Sequence, residues 1–201
     1  MRSIIRNSRT LKAVLPIACL LVSASAWCQV APLSGDASFS LGYNHVGKGN
    51  NFNDTTTNGF TTGGTGGVNV TRYIAVGGEF NFFSMPKVSG VSEHMLNYGA
   101  AARFNLIPAG RVVPYGVFGV GGARFTASES GQSASLNGNY VGGGGGLSYY
   151  VGPSWGVRAE LRDNRFGGFK LDGITASTNV VTMTGGIFYQ FGGTFKRPAK
   201  K

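Results

Sequence analysis

The chain has 201 residues, of which 34 are glycine, and only 13% are charged against 42% hydrophobic. Its net charge of +10 resides largely at the ends: Arg2, Arg6, Arg9 and Lys12 stand in the first segment and Lys196, Arg197, Lys200 and Lys201 in the last, so removing these eight cations leaves a body of +2 and no argument for a nucleic-acid partner. Both cysteines, Cys19 and Cys28, fall in or beside the first segment, which excludes an internal disulfide framework.

In chain order, four cations precede an apolar run over 13–22 and then Ala24-Ser25-Ala26, the small-x-small pattern of a cleavage site. Residues 1–28 therefore read as a secretory signal peptide cut after residue 26 or 28. A lipoprotein anchor is disfavoured by bulky Trp27 before Cys28 and by Pro16 and Ile17 before Cys19. Beyond the leader no run approaches the roughly 18 apolar residues of a membrane helix. A chain of this kind spans a membrane only as a closed barrel.

No amphipathic helical pattern appears after Val30, and the rest reads as all-β. Period-two alternation marks eight strands, at 37–44, 59–70, 74–83, 95–106, 112–125, 139–151, 155–166 and 179–191. The second and third, fourth and fifth, and sixth and seventh are joined tightly by "TRY", "IPAGR" and "GPS". The other connections are polar loops at 47–58, 84–93, 127–138 and 167–178. An even strand count with short turns at one end and long loops at the other is the layout of an eight-stranded antiparallel up-and-down transmembrane β-barrel, domain 29–191, followed by a short basic tail at 192–201.

The alternation sorts the side chains onto two faces. One face is apolar and uncharged at mid-strand, and includes Phe80, Leu161, Ile187 and, on the fifth segment, Tyr115, Val117 and Phe125. Its aromatics, among them Tyr43, Phe82, Tyr98, Phe104, Tyr149, Trp155, Tyr189 and Phe191, fall near strand ends as membrane girdles require. The other face carries Ser38, Ser40, Asn44, Thr61, Thr65, Glu79, Asn97, Arg103, Arg124, Arg158, Glu160 and Arg162. Charge at mid-strand and aromatics at the ends put the polar face inside.

An eight-stranded barrel is just wide enough for side chains to fill it. The glycine runs at 63–67 and 142–146 then make room opposite long Arg and Glu. A phosphate-cradling loop needs a Gly-x-x-x-x-Gly-Lys-Ser/Thr pattern and a following helix, which neither run has. Buried charges must pair, so the expectation is a lumenal network in which Glu79 and Glu160 are flanked by Arg103, Arg124, Arg158 or Arg162, a structural plug more than an ion-selective constriction.

The inventory for catalysis is thin. The histidines, His45 and His94, stand where strands meet the long loops, with only the generic loop acids Asp54 and Glu93 nearby. Nothing singles out a catalytic triad, a metal site or a cofactor site.

With strands, girdle and inward charges in place, "PYGVFGVGGARF" (114–125), "GVRAELRDNRF" (156–166) and the closing "GIFYQF" (186–191) resemble the small eight-stranded outer-membrane barrels, the barrel domain of outer membrane protein A and its shorter relatives. That resemblance implies export to the outer membrane of a Gram-negative cell, with outer-membrane lipid and the barrel assembly machinery as partners. It also implies that Tyr189 and Phe191 are the signal this machinery reads. The chain departs from the pattern by adding "GGTFKRPAKK" after Phe191, which leaves Phe191 or Phe195 as the end of the last strand. The expected role is structural or adhesin-like, through loops that meet a host or surface ligand, and not enzymatic. A small ion or solute channel, a lipid A-modifying barrel enzyme and a soluble periplasmic barrel are the alternatives.

Overall fold

The computed structural model describes residues 30–47, 57–85, 91–129, 132–171 and 174–192. The expected leader and the tail from 193 onward lie outside these described residues, as do 48–56 and 86–90 of the first two long loops. Eight strands follow in order: β1 (Ser34–Val46), β2 (Thr57–Asn69), β3 (Ile74–Ser84), β4 (Ser92–Asn105), β5 (Val112–Glu129), β6 (Gln132–Tyr150), β7 (Trp155–Leu171) and β8 (Ile174–Phe191).

Each strand runs antiparallel to its neighbours, and β1 also pairs with β8, so the sheet closes and leaves no edge around the wall. Tracing opposed residues from Asp36 through Gly67, Gly77, Ala101, Gly119, Gly142, Asn164 and Val180 leads back to β1 at Val46, ten residues beyond the start. That stagger tilts the strands and fixes a narrow bore.

Exposure settles which face is inside. Phe80 is 53%, Leu161 58% and Ile187 60% exposed, whereas Glu79 and Arg162 are each 5% exposed. A soluble barrel has the reverse arrangement. Apolar side chains on the outer wall are stable only against hydrocarbon, so the outer wall is the lipid-facing surface. The last strand ends at Phe191, opposite Gly35 of β1.

Three expectations are corrected. Residues 127–138 and 167–178 are largely strand, since β5 and β6 stay paired out to Glu129 and Gln132 and β7 and β8 out to Leu171 and Ile174. Their Ser, Thr, Ala and Gly content reads as loop, but the ladder is held by Phe125, Leu136 and Phe169, which fold over the barrel mouth. A register shift between Phe166 and Phe169, with Gly168 at φ +73, bends β7 to allow this.

The second correction concerns β5. Tyr115 and Val117 point inward and are buried, Phe125 packs inward against the mouth, and Phe118 and Val120 face outward. Residues 112–125 carry apolar or glycine residues at both parities, so alternation cannot choose a face there. Pairing of Gly119 with Ala101 and Gly142 chooses it.

Third, the interior is not polar throughout. Val46, Phe83, Met95, Tyr140, Phe166, Phe169 and Val180 form an apolar cap inside the loop end. At the short-turn end Val30, Val113, Tyr150 and Phe188 form a second one. The chain entering β1 closes this end, with Val30 N–H donating to Pro108 O at 3.3 Å, Leu33 N–H to Asn69 O at 2.7 Å, and Ser34 Oγ to Ala31 O at 2.6 Å.

Candidate functional site

Between the two caps the lumen holds three carboxylates and three guanidinium groups joined by ion pairs. Inward parity places them, and the bore is so narrow that opposite walls touch. In the upper tier Arg162 of β7 lies 2.6 Å from Glu79 Oε2 on β3 and 3.0 Å from Glu160 Oε1. Tyr140 Oη donates to Glu79 at 2.6 Å, and Tyr115 Oη donates to Glu160 at 2.9 Å.

In the lower tier Asp36 of β1 receives Arg103 at 3.0 Å and Arg158 at 3.3 Å. Arg158 Nε donates to Ser148 Oγ at 3.2 Å, and Arg103 also reaches Asn69 Oδ1 at 3.4 Å. The Tyr115 ring joins the tiers: Arg103 and Arg158 lie 5.8 and 5.5 Å from its centroid, within cation–π range, while its hydroxyl serves Glu160. Arg158 also lies 4.8 Å from the Phe188 centroid, where the ionic tiers meet the lower cap.

Glycine makes the crossing possible. A Cβ on Gly119 would fall on Glu79 Oε1 beside Arg162, and one on Gly146 would collide with the Tyr115 hydroxyl. Lumenal cavities among the described residues include two of about 40 Å³ each. One is bordered by Ser38, Ser40, Thr65 and Thr184, the other by Asp36, Ala101 and Arg103. Each has room for about two or three waters.

The sequence-derived residues are thus only partly brought together. Glu79, Arg103, Arg158, Glu160 and Arg162 face the lumen, but Arg103 and Arg158 serve Asp36 and not the two glutamates. Arg124 is a correction: with the parity of β5 reversed it stands exposed on the outer wall and donates to Ser135 Oγ at 3.3 Å. Asp36 was missed, although it shares the parity of Ser38 and Ser40. The excess of four arginines over two glutamates on the face read as inner also called for a further carboxylate. The inward Tyr115 was missed because it was read onto the apolar outer face, and Tyr140 was placed on neither face. Tyr189 and Phe191 lie outward at the short-turn end, half exposed, with their rings stacked 6.4 Å apart.

Comparison with known proteins decides the family. The model of the outer membrane protein β-barrel domain matches residues 14–191. The chain belongs to that family. The outer membrane protein β-barrel domain accounts for the closed eight-stranded wall, and the protein is located in the outer membrane, in contact with its lipid. Among solved structures, neisserial surface protein A is similar at TM-score 0.68 and 15% identity, over 78% of this chain and 97% of that one. The N-terminal β-barrel domain of Pseudomonas aeruginosa OprF is similar at TM-score 0.50 and 16% identity, over 80% and 99%. Identities this low are evidence of shared fold. None of the curated proteins compared with the chain matches it.

Proposed function

We propose that this outer-membrane barrel is a sealed scaffold whose role is structural or adhesive, exerted through the segments at its loop end. The observation that carries this reading is the triple closure of the lumen: apolar residues at the mouth, two ionic tiers at mid-depth, and a second apolar cluster under them. Ion conduction needs a continuous polar path, and a lumen closed in this way works against the channel reading.

The histidines weigh against a lipid-modifying enzyme. His45 Nδ1 bonds to the Asn58 side chain at 2.6 Å, and His94 stacks on Phe82 at 5.4 Å, each on the outer wall. The half-exposed pair Tyr189 and Phe191, on the strand that closes the barrel, suits recognition by the barrel assembly machinery. Residues 1–28 suit a cleaved leader.

The test is to display the full chain on cells lacking other small barrels and to measure attachment to epithelial and abiotic surfaces. Segments 48–56 and 86–90 are then replaced by Gly-Ser stretches of equal length. Attachment is expected to fall while the heat-modified gel mobility of the barrel stays unchanged. Attachment that is independent of every loop-end segment refutes the adhesive role.

A further inference from the structure

We infer that the outer wall of β5–β7, where the apolar band gives way to polar residues on the loop side, is a binding site for a phosphorylated glycolipid headgroup of the outer leaflet. The boundary is visible strand by strand. Moving toward the loop end, the outward column of β5 runs Phe118, Val120, Gly122, Arg124, and that of β6 runs Leu147, Val141, Asn139, Asn137. On β7 it runs Val157, Leu161, Asp163, Arg165 and, past the bulge, Lys170, and on β8 Ile187, Met183, Val181, Asn179.

Register sets the switch on a slant across β6. Arg124 stands opposite Leu96 and Asn137, and Arg165 opposite Val141 and Asn179. The loop end of such a barrel is the external one, so this line meets the polar headgroups of the outer leaflet.

Among the described residues the charge is concentrated on one side. On β1–β4 the residues at the same boundary are His45, Asn58, Ser84 and His94, whereas β5 and β7 present Arg124, Arg165 and Lys170. All three cations are exposed, and none takes part in the salt bridges found among the described residues. Asp163, just below Arg165, is the one carboxylate in these columns, so the patch keeps a net charge of +2.

Strands β5 and β7 are separated only by β6, and Arg124 and Arg165 stand opposite β6 residues four apart, Asn137 and Val141, which puts them roughly 16 Å apart across the sheet. Long guanidinium side chains over that span can each take one phosphate of a bis-phosphorylated disaccharide, with Asn137, Asn139 and Asn179 between and beside them as hydrogen-bonding groups for sugar hydroxyls. Arg suits phosphate because its planar fork donates two parallel hydrogen bonds. Cations spent only on solubility belong at the loop tips, away from the acyl-chain boundary. Here Arg124 and Arg165 sit four residues above Val120 and Leu161, where a lipid that fills the apolar band places its headgroup, and Lys170 stands farther out near the β7–β8 tip.

The test uses full-length protein refolded in detergent, with unfolding followed by heat-modified gel mobility. The added probes are bis-phosphorylated lipid A, enzymatically dephosphorylated lipid A and inorganic phosphate. Bis-phosphorylated lipid A is expected to raise the unfolding temperature, while the other two leave it unchanged. The triple variant R124Q/R165Q/K170Q is expected to lose the shift, and R72Q, which removes an exposed cation at the opposite rim, to keep it. Single variants R124Q and R165Q provide an independent reading should the triple variant refold poorly, each weakening the apparent affinity about fivefold, the order expected for one cation at an anionic membrane surface. Equal shifts in the wild type and the triple or single variants overturn the inference, as does a shift of the same size from dephosphorylated lipid A or from inorganic phosphate.

Discussion

Glu79 on β3 and Arg162 on β7 reach across the barrel from opposite walls and meet at 2.6 Å. Arg162 is shared with Glu160, and Glu79 also takes the Tyr140 hydroxyl, so one guanidinium compensates two lumenal carboxylates, one buried and one partly exposed. The inner wall of this barrel is therefore held together through its centre as well as around its circumference.

Replacing Arg162 by Met strands both glutamates. Breaking a buried pair from one side costs about 3–5 kcal/mol, whereas removing both partners costs far less. R162M is expected to lower the urea midpoint of the detergent-refolded protein sharply, and E79Q/R162M to restore part of the loss. If R162M unfolds with wild-type midpoint and slope, the upper ionic tier contributes nothing to stability.

Gly119 tests the same crossing sterically. A side chain there must displace Glu79, and overpacking of this kind costs about 1–3 kcal/mol. G119V is expected to unfold at lower temperature than wild type. Gly66, whose Cβ would meet nothing within 4 Å, provides the contrast, with G66A close to neutral.

Orientation is tested from outside. Leu161, 58% exposed in the middle of the outer wall, faces acyl chains. L161R is expected to destabilise the barrel in bilayers by about 2–4 kcal/mol, the penalty for a cation near the midplane. Refolding in vesicles against a urea series measures it, and a neutral effect contradicts a lipid-facing β7.

Conductance tests the seal. In planar bilayers the wild-type protein is expected to show no discrete current steps. F83A/F166A, which thins the upper cap but leaves the tier beneath intact, is expected to stay silent too. Regular steps from wild type favour the channel reading.

Much of the fold was legible because lipid and lumen impose opposite chemistries on alternate residues. Val181, Met183, Ile187, Tyr189 and Phe191 against Thr182, Thr184 and Gln190 show this on β8, and Leu161 between Glu160 and Arg162 shows it on β7. Where the alternation lapses, the reading failed. On β5 the apolar and glycine residues occupy both parities, and the inferred face was reversed, which carried Arg124 to the wrong side. At the loop end the mouth is covered by Phe125, Leu136 and Phe169, residues distant in sequence whose contact depends on the bulge at Gly168.

The sequence by itself determined the strand number, the three short turns and, on β7 and β8, which face meets lipid, because period-two pattern and turn chemistry are local properties. Only the tertiary structure decided who pairs with whom inside. Asp36 lies 67 residues from Arg103 and 122 from Arg158, and those contacts exist because a ten-residue stagger around eight strands brings three walls to one level. Stagger is a property of the closed circle, and no single segment of the chain encodes it.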